Sequence, residues 1–142
     1  RKQSTVRLVQ LLSNGGRPDD VTASANPQPY AIMSTAAGLK EIATYADVVG
    51  AHKDLLIPVK DGALGTPTTL VKDAHALNLA VHIWTLRPEN AFLPAAYKKA
   101  PTTDNTVRGD SVSEIQTFLK AGVDGFFTDD SAVGRLAVDS LK

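Results

Sequence analysis

Two side chains at the end of one apolar run have the chemistry to bind an anion or to form the wall of a pocket. Arg87 lies in the polar stretch that follows the run, and its guanidinium could bind a phosphate group through two parallel hydrogen bonds. It could equally pair with Glu89 or Asp104 and fix that stretch in place, or with Asp129 at the end of the last apolar run. Trp84, the only tryptophan, ends the run itself. It is expected to be either an aromatic pocket wall or a core aromatic beneath the loop.

The three histidines do not form a recognisable catalytic centre by themselves. His82 shares strand parity with Trp84, so it is expected to point to the same face and to form structural hydrogen bonds. His52 follows another apolar run and could contact a ligand, whereas His75 is expected on a helix surface. No GxSxG or comparable nucleophile setting accompanies them. The carboxylates show no spacing that predicts a cluster of oxygen ligands for a metal.

Composition excludes several classes of protein. Among the 142 residues, fifteen basic ones balance fifteen acidic ones. This balance does not favour nucleic acid or an anionic membrane as a partner. The chain has no cysteine, so disulfides, Cys-ligated zinc and a cysteine nucleophile are excluded. No apolar run approaches the roughly 20 residues that span a bilayer. The chain begins in charged residues and enters an apolar run at once, which is typical of a start inside a domain.

Apolar runs that end at turn residues alternate with segments of helical periodicity. The predicted strands are Val6–Leu12, Ala46–Gly50, Leu79–Trp84 and Val123–Thr128. The predicted helices begin at the cap residue Ser34, at the pair Thr66-Pro67, at the capping box Ser111–Glu114 and at Ser131. The long connections predicted between them are Arg17–Pro29, Pro58–Gly65 and Arg87–Gly109.

The order is therefore a strand, a loop and a helix, repeated four times. Strict alternation predicts a parallel sheet with right-handed crossovers. All long connections follow strands, as they do in a (β/α)₈ TIM barrel, where those loops carry function. Four units make half of such a barrel. A doubly wound sheet is the alternative, although no GxGxxG follows any strand. Gln10 is a buried amide within the first run, and in a barrel it could point into the site.

Three of these segments carry a resemblance to a known family. They are Tyr45–Gly50 (YADVVG), Val81–Asn90 (VHIWTLRPEN) and Gly122–Asp129 (GVDGFFTD). In this order and spacing they resemble the strand motifs of glycerophosphodiester phosphodiesterases, most closely of the bacterial periplasmic type. The resemblance runs from Val6 to the end of the chain.

The resemblance implies a TIM barrel that hydrolyses glycerophosphodiesters to glycerol 3-phosphate and an alcohol. It implies a divalent cation, Ca²⁺ or Mg²⁺, and two histidines as acid and base. The family carries these groups in HRG, ExD and ExK motifs on its first four strands, and this sequence contains none of the three. Residues 1–142 are therefore predicted to be the C-terminal half of one barrel domain, strands five to eight. Catalytic residues and metal ligands are expected outside the chain, which is predicted to be inactive alone.

Within this half, Gln10, Lys53, Trp84 and Arg87 are expected to line the substrate pocket. Lys53 stands at a GPxK-like position and could bring positive charge near the phosphate, or be a solvated loop lysine. Two departures from the family pattern concern the site: Ala51 replaces a usual proline, and Asp129–Ala132 (DDSA) replaces DFPD. The resemblance also implies a periplasmic or secreted location and a missing N-terminal half-barrel as partner.

Two other functions remain open at this point. One is a non-catalytic interaction protein that binds a partner through an exposed half-barrel face, which the altered DDSA loop keeps in consideration. The other is a related barrel phospholipase that acts on lysolipid or sphingolipid headgroups.

Overall fold

The computed structural model describes residues 5–21 and 27–141. Its strands are β1 (Val9–Leu12), β2 (Val48–His52), β3 (Val59–Lys60), β4 (Ala63–Leu64), β5 (Ala80–Leu86) and β6 (Gly125–Thr128). Its α-helices are α1 (Tyr30–Met33), α2 (Ala36–Ile42), α3 (Lys53–Leu56), α4 (Leu70–His75), α5 (Ser111–Lys120) and α6 (Ser131–Asp139). Single 3₁₀ turns cover Asp19–Val21, Asn90–Phe92 and Ala95–Tyr97.

Four strands form one parallel sheet in the order β1-β2-β5-β6. Each strand is added on the same side of the one before it, so the order never reverses. A doubly wound sheet reverses at its switch point, whereas a barrel adds its strands in sequence. The predicted α/β class with a parallel sheet is confirmed. The order of the described strands is that of part of a barrel.

The two faces of the sheet differ in what covers them. Side chains of a strand alternate between faces, and parallel neighbours in register share one. Val49 and Val81 are fully buried on the face that the helices cover, and they belong to the main hydrophobic cluster. Val9 and Leu11 point to the other face and remain 41% and 53% exposed. Phe127 of β6 is 45% exposed. We call the helix-free side the inner face.

Helix α2 begins one residue later than predicted. The cap is Thr35 rather than Ser34, because the Thr35 hydroxyl accepts a hydrogen bond from the Gly38 amide at 3.2 Å. Ser34 instead ends the short helix α1. The sequence offered two adjacent hydroxyl residues, and only their backbone conformation distinguishes them.

Helix α4 also starts later than its Thr66-Pro67 signal predicted. It begins at Leu70. The Thr68 amide donates to the carbonyl of Leu56 at 2.8 Å, which ties this segment to the end of α3 before the helix can start. The predicted apolar side of the helix is correct, since its leucine, valine and alanine positions are buried.

The predicted capping box at the start of α5 is wrong in its assignments. Asp110 is the cap residue, and its carboxylate accepts from the Ser113 amide at 3.1 Å. Ser111 is the first helical residue and is buried. Glu114 takes no part in capping, because its side chain is buried inside the protein.

The segment predicted as an irregular loop, Pro58–Gly65, contains the hairpin β3-β4. Asp61 and Gly62 form its two-residue turn with φ of 52° and 79°, the left-handed conformation that such turns require. The carbonyl of Gly62 accepts from the Ala95 amide at 2.8 Å, which ties the hairpin to the long segment after β5.

Other bounds shift by a few residues. Strand β1 begins at Val9 rather than Val6, and β2 extends to His52. Residues 22–26 of the predicted Arg17–Pro29 loop lie outside the described part of the chain. None of the helices within that part combines the length and the apolar character that crossing a membrane requires.

Candidate functional site

A cleft of about 720 Å³ lies where β2 and β5 end. Carboxyl ends of parallel strands are where barrel sites form, because the long connections begin there. Its lining combines three cations and one carboxylate with histidine, tryptophan and a group of apolar residues. The lining residues are His52, Lys53, Asp54, Val59, Gly62, Trp84, Thr85, Arg87, Ala91, Phe92, Leu93, Pro94, Ala95, Lys98 and Thr102.

Trp84 lies in this cleft, half-buried, as the pocket prediction expected. Its indole nitrogen donates to the carbonyl of Gly50 on the neighbouring strand at 2.8 Å. Its ring meets the imidazole of His52 edge to face, with centroids 5.0 Å apart and planes at 89°. These two contacts fix the indole as a rigid wall at the carboxyl end of the sheet.

Lys53, the first residue after β2, is not a solvated loop lysine. It is 8% exposed and lines the cleft. Its ammonium donates to the carbonyl of Phe92 at 2.7 Å and to the carboxylate of Glu114, 61 residues away in sequence, also at 2.7 Å. Glu114 is 0% exposed. Burial raises the pKa of the Glu114 carboxyl, and the charge of Lys53 acts in the opposite direction.

Arg87 reaches the cleft and pairs with Asp129 at the end of β6, Nε to Oδ2, at 2.7 Å. Its guanidinium also lies 4.7 Å from the ring centroid of Phe92, a cation–π contact. Of the partners that the sequence suggested for it, Asp129 is therefore the one that the structure shows. Asp104 accepts from Thr106 in its own loop instead. Asp129 matches the first residue of the family's DFPD segment, so the counter-charge comes from the part of this loop that keeps the family pattern.

His52 is more closely involved in the cleft than the sequence suggested. Its Nδ1 accepts from the Asp54 amide at 3.3 Å, so the neutral ring carries its proton on Nε2. Burial lowers the pKa of His52; the charge of Asp54 opposes that shift and the charge of Lys53 adds to it. A neutral imidazole with one available N–H donor is therefore the form expected near neutral pH.

Gln10 lies away from the cleft, contrary to expectation. It pairs in register with Val49, whose side chain is on the helix-covered face, so Gln10 points to that face too. Its Oε1 accepts from the Tyr45 hydroxyl at 2.8 Å, and its amide donates to the Leu11 carbonyl at 3.0 Å. The parity of β1 directs Gln10 away from the inner face, and these bonds satisfy it.

The other two histidines are outside the cleft. His82 lies on the inner face as predicted and meets Phe127 with ring centroids 6.2 Å apart. The structure gives it no hydrogen bond within residues 5–21 and 27–141, so its predicted polar partner is absent there. His75 is at the helix surface and bonds Asp124 at 2.8 Å, at the opposite end of the sheet.

One rim of the cleft is built around a buried asparagine that the sequence analysis did not single out. Asn90 is 0% exposed. Its amide group donates to the carbonyls of Lys99 at 2.8 Å and Asp104 at 3.2 Å, and its Oδ1 accepts from the Lys99 amide at 3.0 Å. A weaker contact reaches the Pro101 carbonyl at 3.4 Å. The long connection is therefore a folded structure and not a loose loop.

Sequence reasoning also missed Lys98 and the hairpin wall at Val59 and Gly62. The Asp61-Gly62 pair was an available hairpin signal. No comparable signal marked Lys98, because nothing local distinguishes it from Lys99. Lys98 is half-buried in the cleft and forms no ion pair with any residue that the structure describes.

The described residues do not fit a metal centre. No three His, Asp or Glu side chains among residues 5–21 and 27–141 lie together so that they could hold an ion. The cleft's own carboxylate, Asp54, is engaged by Asn14 at 3.2 Å. A hard cation requires several converging oxygen ligands, and the described residues do not supply them.

A sequentially ordered parallel sheet with a cleft at its carboxyl edge is typical of part of a barrel protein. Comparison with known proteins gives the particular family. The model of the glycerophosphoryl diester phosphodiesterase family matches residues 1–133. An Arabidopsis thaliana protein named glycerophosphodiester phosphodiesterase GDPD6 is 39% identical over 114 residues, which are 78% of this chain and 28% of that protein. The chain belongs to the glycerophosphodiester phosphodiesterase family, and it spans about a quarter of that relative's length.

Proposed function

We propose that this chain supplies the non-metal half of the pocket of a phosphoric diester hydrolase. The reaction is metal-dependent hydrolysis of glycerophosphodiesters to glycerol 3-phosphate and an alcohol. Family membership supports the reaction class. The observation that carries the proposal is that Lys53, Arg87 and Lys98 all line one cleft at the carboxyl edge of the sheet.

The three cations differ in how they meet a phosphate group. Lys53 has two of its three N–H donors occupied, which leaves one for a ligand oxygen. Arg87 is held by Asp129 and by the Phe92 ring and keeps further donors on its guanidinium. Lys98 brings charge that no described carboxylate neutralises. Together they attract an anion and orient it between Trp84 and the long connection.

The inner face supports the half-barrel part of the proposal. Val9, Leu11 and Phe127 leave apolar surface exposed there, and β1 and β6 each have one unpaired edge within the described sheet. Closure of a barrel would cover that face and pair both edges. We infer that the covering element is the first half of the same barrel, so that this chain provides strands five to eight. The cation's ligands and the acid–base groups would then come from that half. A periplasmic or secreted location stays a prediction.

The test compares this chain alone with the protein in which it is joined to the preceding half-barrel. Each is incubated with glycerophosphocholine and, separately, with a lysophospholipid, and both glycerol 3-phosphate and the released headgroup are measured. We expect glycerol 3-phosphate only from the joined protein, only from glycerophosphocholine, and only before a chelator is added. Hydrolysis by this chain alone would overturn the half-pocket proposal, and release of a lysophospholipid headgroup instead would favour the phospholipase.

A matched pair of lysines tests the cleft itself. Lys98 lines the cleft and Lys99 does not. We expect Lys98→Gln to raise the KM for glycerophosphocholine several-fold, about the effect of one lost charge-assisted hydrogen bond. Lys99→Gln should leave the KM unchanged, because its side chain is exposed outside the lining. Equal KM values for the two variants would remove Lys98 from the site.

A further inference from the structure

The carboxylate of Glu114 lies in the protein interior, where the loss of hydration disfavours its charged form. Its side chain is 0% exposed on helix α5. One oxygen accepts from Lys53 at 2.7 Å, while the other is buried without a hydrogen-bond partner among the described residues. A buried ion pair with one unsatisfied oxygen contributes little net stability, because desolvation offsets the attraction. Stability alone therefore gives a weak account of this residue.

The geometry around Lys53 gives a better account. Glu114 and the Phe92 carbonyl hold the ammonium from two directions, each at 2.7 Å. A lysine side chain has a flexible stem of four carbons, so its ammonium is mobile unless other groups hold it. These two contacts therefore determine where the remaining donor points. Lys53 lines the cleft, so the held position is a position at the ligand.

The same contact also fixes the second cation. Lys53 binds the backbone of Phe92, and the ring of Phe92 lies against the Arg87 guanidinium. A chain of direct contacts therefore runs from Glu114 through Lys53 and Phe92 to Arg87. It joins α5, α3 and the connection after β5, which are three separate parts of the sequence.

We propose that Glu114 is a positioning residue for phosphate binding: it holds the Lys53 ammonium, and through Phe92 the Arg87 guanidinium, in place at the cleft. The proposal rests on the proposed function, since the group that these cations receive is the phosphate of the diester. Glu114 itself touches no ligand. Its effect is to keep the two cations at a fixed separation before the ligand arrives.

The experiment uses the joined barrel protein with Glu114→Gln, Glu114→Asp and the double variant Lys53→Met with Glu114→Leu. Inorganic phosphate binding is measured by titration calorimetry, glycerophosphocholine hydrolysis by KM and kcat, and stability by urea unfolding. The control is Ile115→Val, a buried apolar residue of the same helix that is not a member of the ion pair. It lowers stability without altering the cations.

For Glu114→Gln we expect phosphate affinity to fall and KM to rise on the order of tenfold, with kcat changed far less. Glu114→Asp keeps the charge, but its shorter side chain moves the carboxylate away from Lys53. Its KM should therefore lie between those of the parent and Glu114→Gln. The double variant should regain the unfolding midpoint of the parent, because two apolar side chains replace the ion pair, yet keep the raised KM and weak phosphate binding. Ile115→Val should retain the parent's KM.

Two results would overturn the proposal. Either Glu114→Gln lowers stability while KM and phosphate affinity stay unchanged, or the double variant restores KM together with stability. In both cases Glu114 is only structural. Failure of the proposed function gives a different pattern: the parent does not hydrolyse glycerophosphocholine. The calorimetric series still decides the positioning role then, because parent and variants are compared for inorganic phosphate, and absence of phosphate binding by the parent would refute it.

Discussion

Replacing Asn90 by alanine should unfold one rim of the cleft. The side chain is fully buried and forms three hydrogen bonds of 3.2 Å or shorter, two with Lys99 and one with Asp104. Each contributes about 1 kcal/mol net, and the stranded Lys99 amide adds a desolvation cost of roughly 1–3 kcal/mol if it stays buried. Asn90→Ala should therefore lower the free energy of unfolding by about 3–6 kcal/mol.

Two further variants make the test specific. Asn90→Asp keeps the size of the side chain but loses both amide donors and places a charge against carbonyl oxygens, so its loss should be at least as large. Asn105→Ala is the matched control, because Asn105 is an exposed asparagine of the same connection and only its backbone is hydrogen-bonded. Its effect should stay within about 0.5 kcal/mol.

Urea unfolding at neutral pH measures these differences, and limited proteolysis shows where the chain opens. In Asn90→Ala, new cleavage should appear within the connection Arg87–Gly109 while the sheet stays protected. A loss below about 1 kcal/mol, with no new cleavage, would refute the conclusion that Asn90 organises the rim.

Three other predictions concern the rest of the fold and use urea unfolding as well. A Cβ at Gly38 would lie 2.4 Å from a backbone oxygen, so Gly38→Ala should cost several kcal/mol; Gly15→Ala, which meets open space, should cost almost nothing. Trp84→Phe removes the hydrogen bond to Gly50 and should cost about 1 kcal/mol; no loss would mean that this bond is not formed. Burial alone raises the pKa of Asp124, but hydrogen bonds from β5 and a histidine outweigh it and hold the pKa below its usual value. Its contribution is present above the unfolded pKa and is lost as pH falls through the folded one, so the destabilisation by Asp124→Asn should shrink between pH 7 and about pH 3; a constant difference would contradict this.

The sequence was sufficient where local pattern and tertiary structure agree. The apolar run from Leu79 to Trp84 predicts a strand buried in a parallel sheet, and β5 is one of the two interior strands of that sheet. The long connections all follow strands, which favours a barrel and with it the sequential strand order over a doubly wound sheet. Both features depend on the periodicity of many residues, so an error at one position does not alter them.

Prediction was less successful where one residue had two compatible roles. Ser34 and Thr35 are both good caps, and an amide such as that of Gln10 is compatible with either face of β1. The alternation of side chains along β1 places Gln10 on the face opposite to Val9 and Leu11, and this was the evidence that the sequence offered. Val9 and Leu11 are also apolar, however, so hydrophobicity did not show which side of β1 the helices cover.

Contacts at long sequence separation were beyond local reasoning. Asn90 bonds residues up to 14 positions away, and its role became visible only when the connection closed on itself. Lys98 differs from Lys99 only in where that closure places it.

Glu114 shows the difficulty most clearly. In sequence, a serine followed three residues later by a glutamate is a capping box, and that interpretation places the carboxylate at a solvated helix start. Asp110 takes the cap, which frees Glu114 to enter the interior and meet Lys53. The segment Ser111–Glu114 could thus either cap its own helix or place Glu114 in contact with Lys53. The contact with Lys53 prevails because Lys53 is buried next to the cleft and requires a counter-charge there. At the start of α5, therefore, a cap motif that is sound by local rules is overridden by the charged cleft beside it.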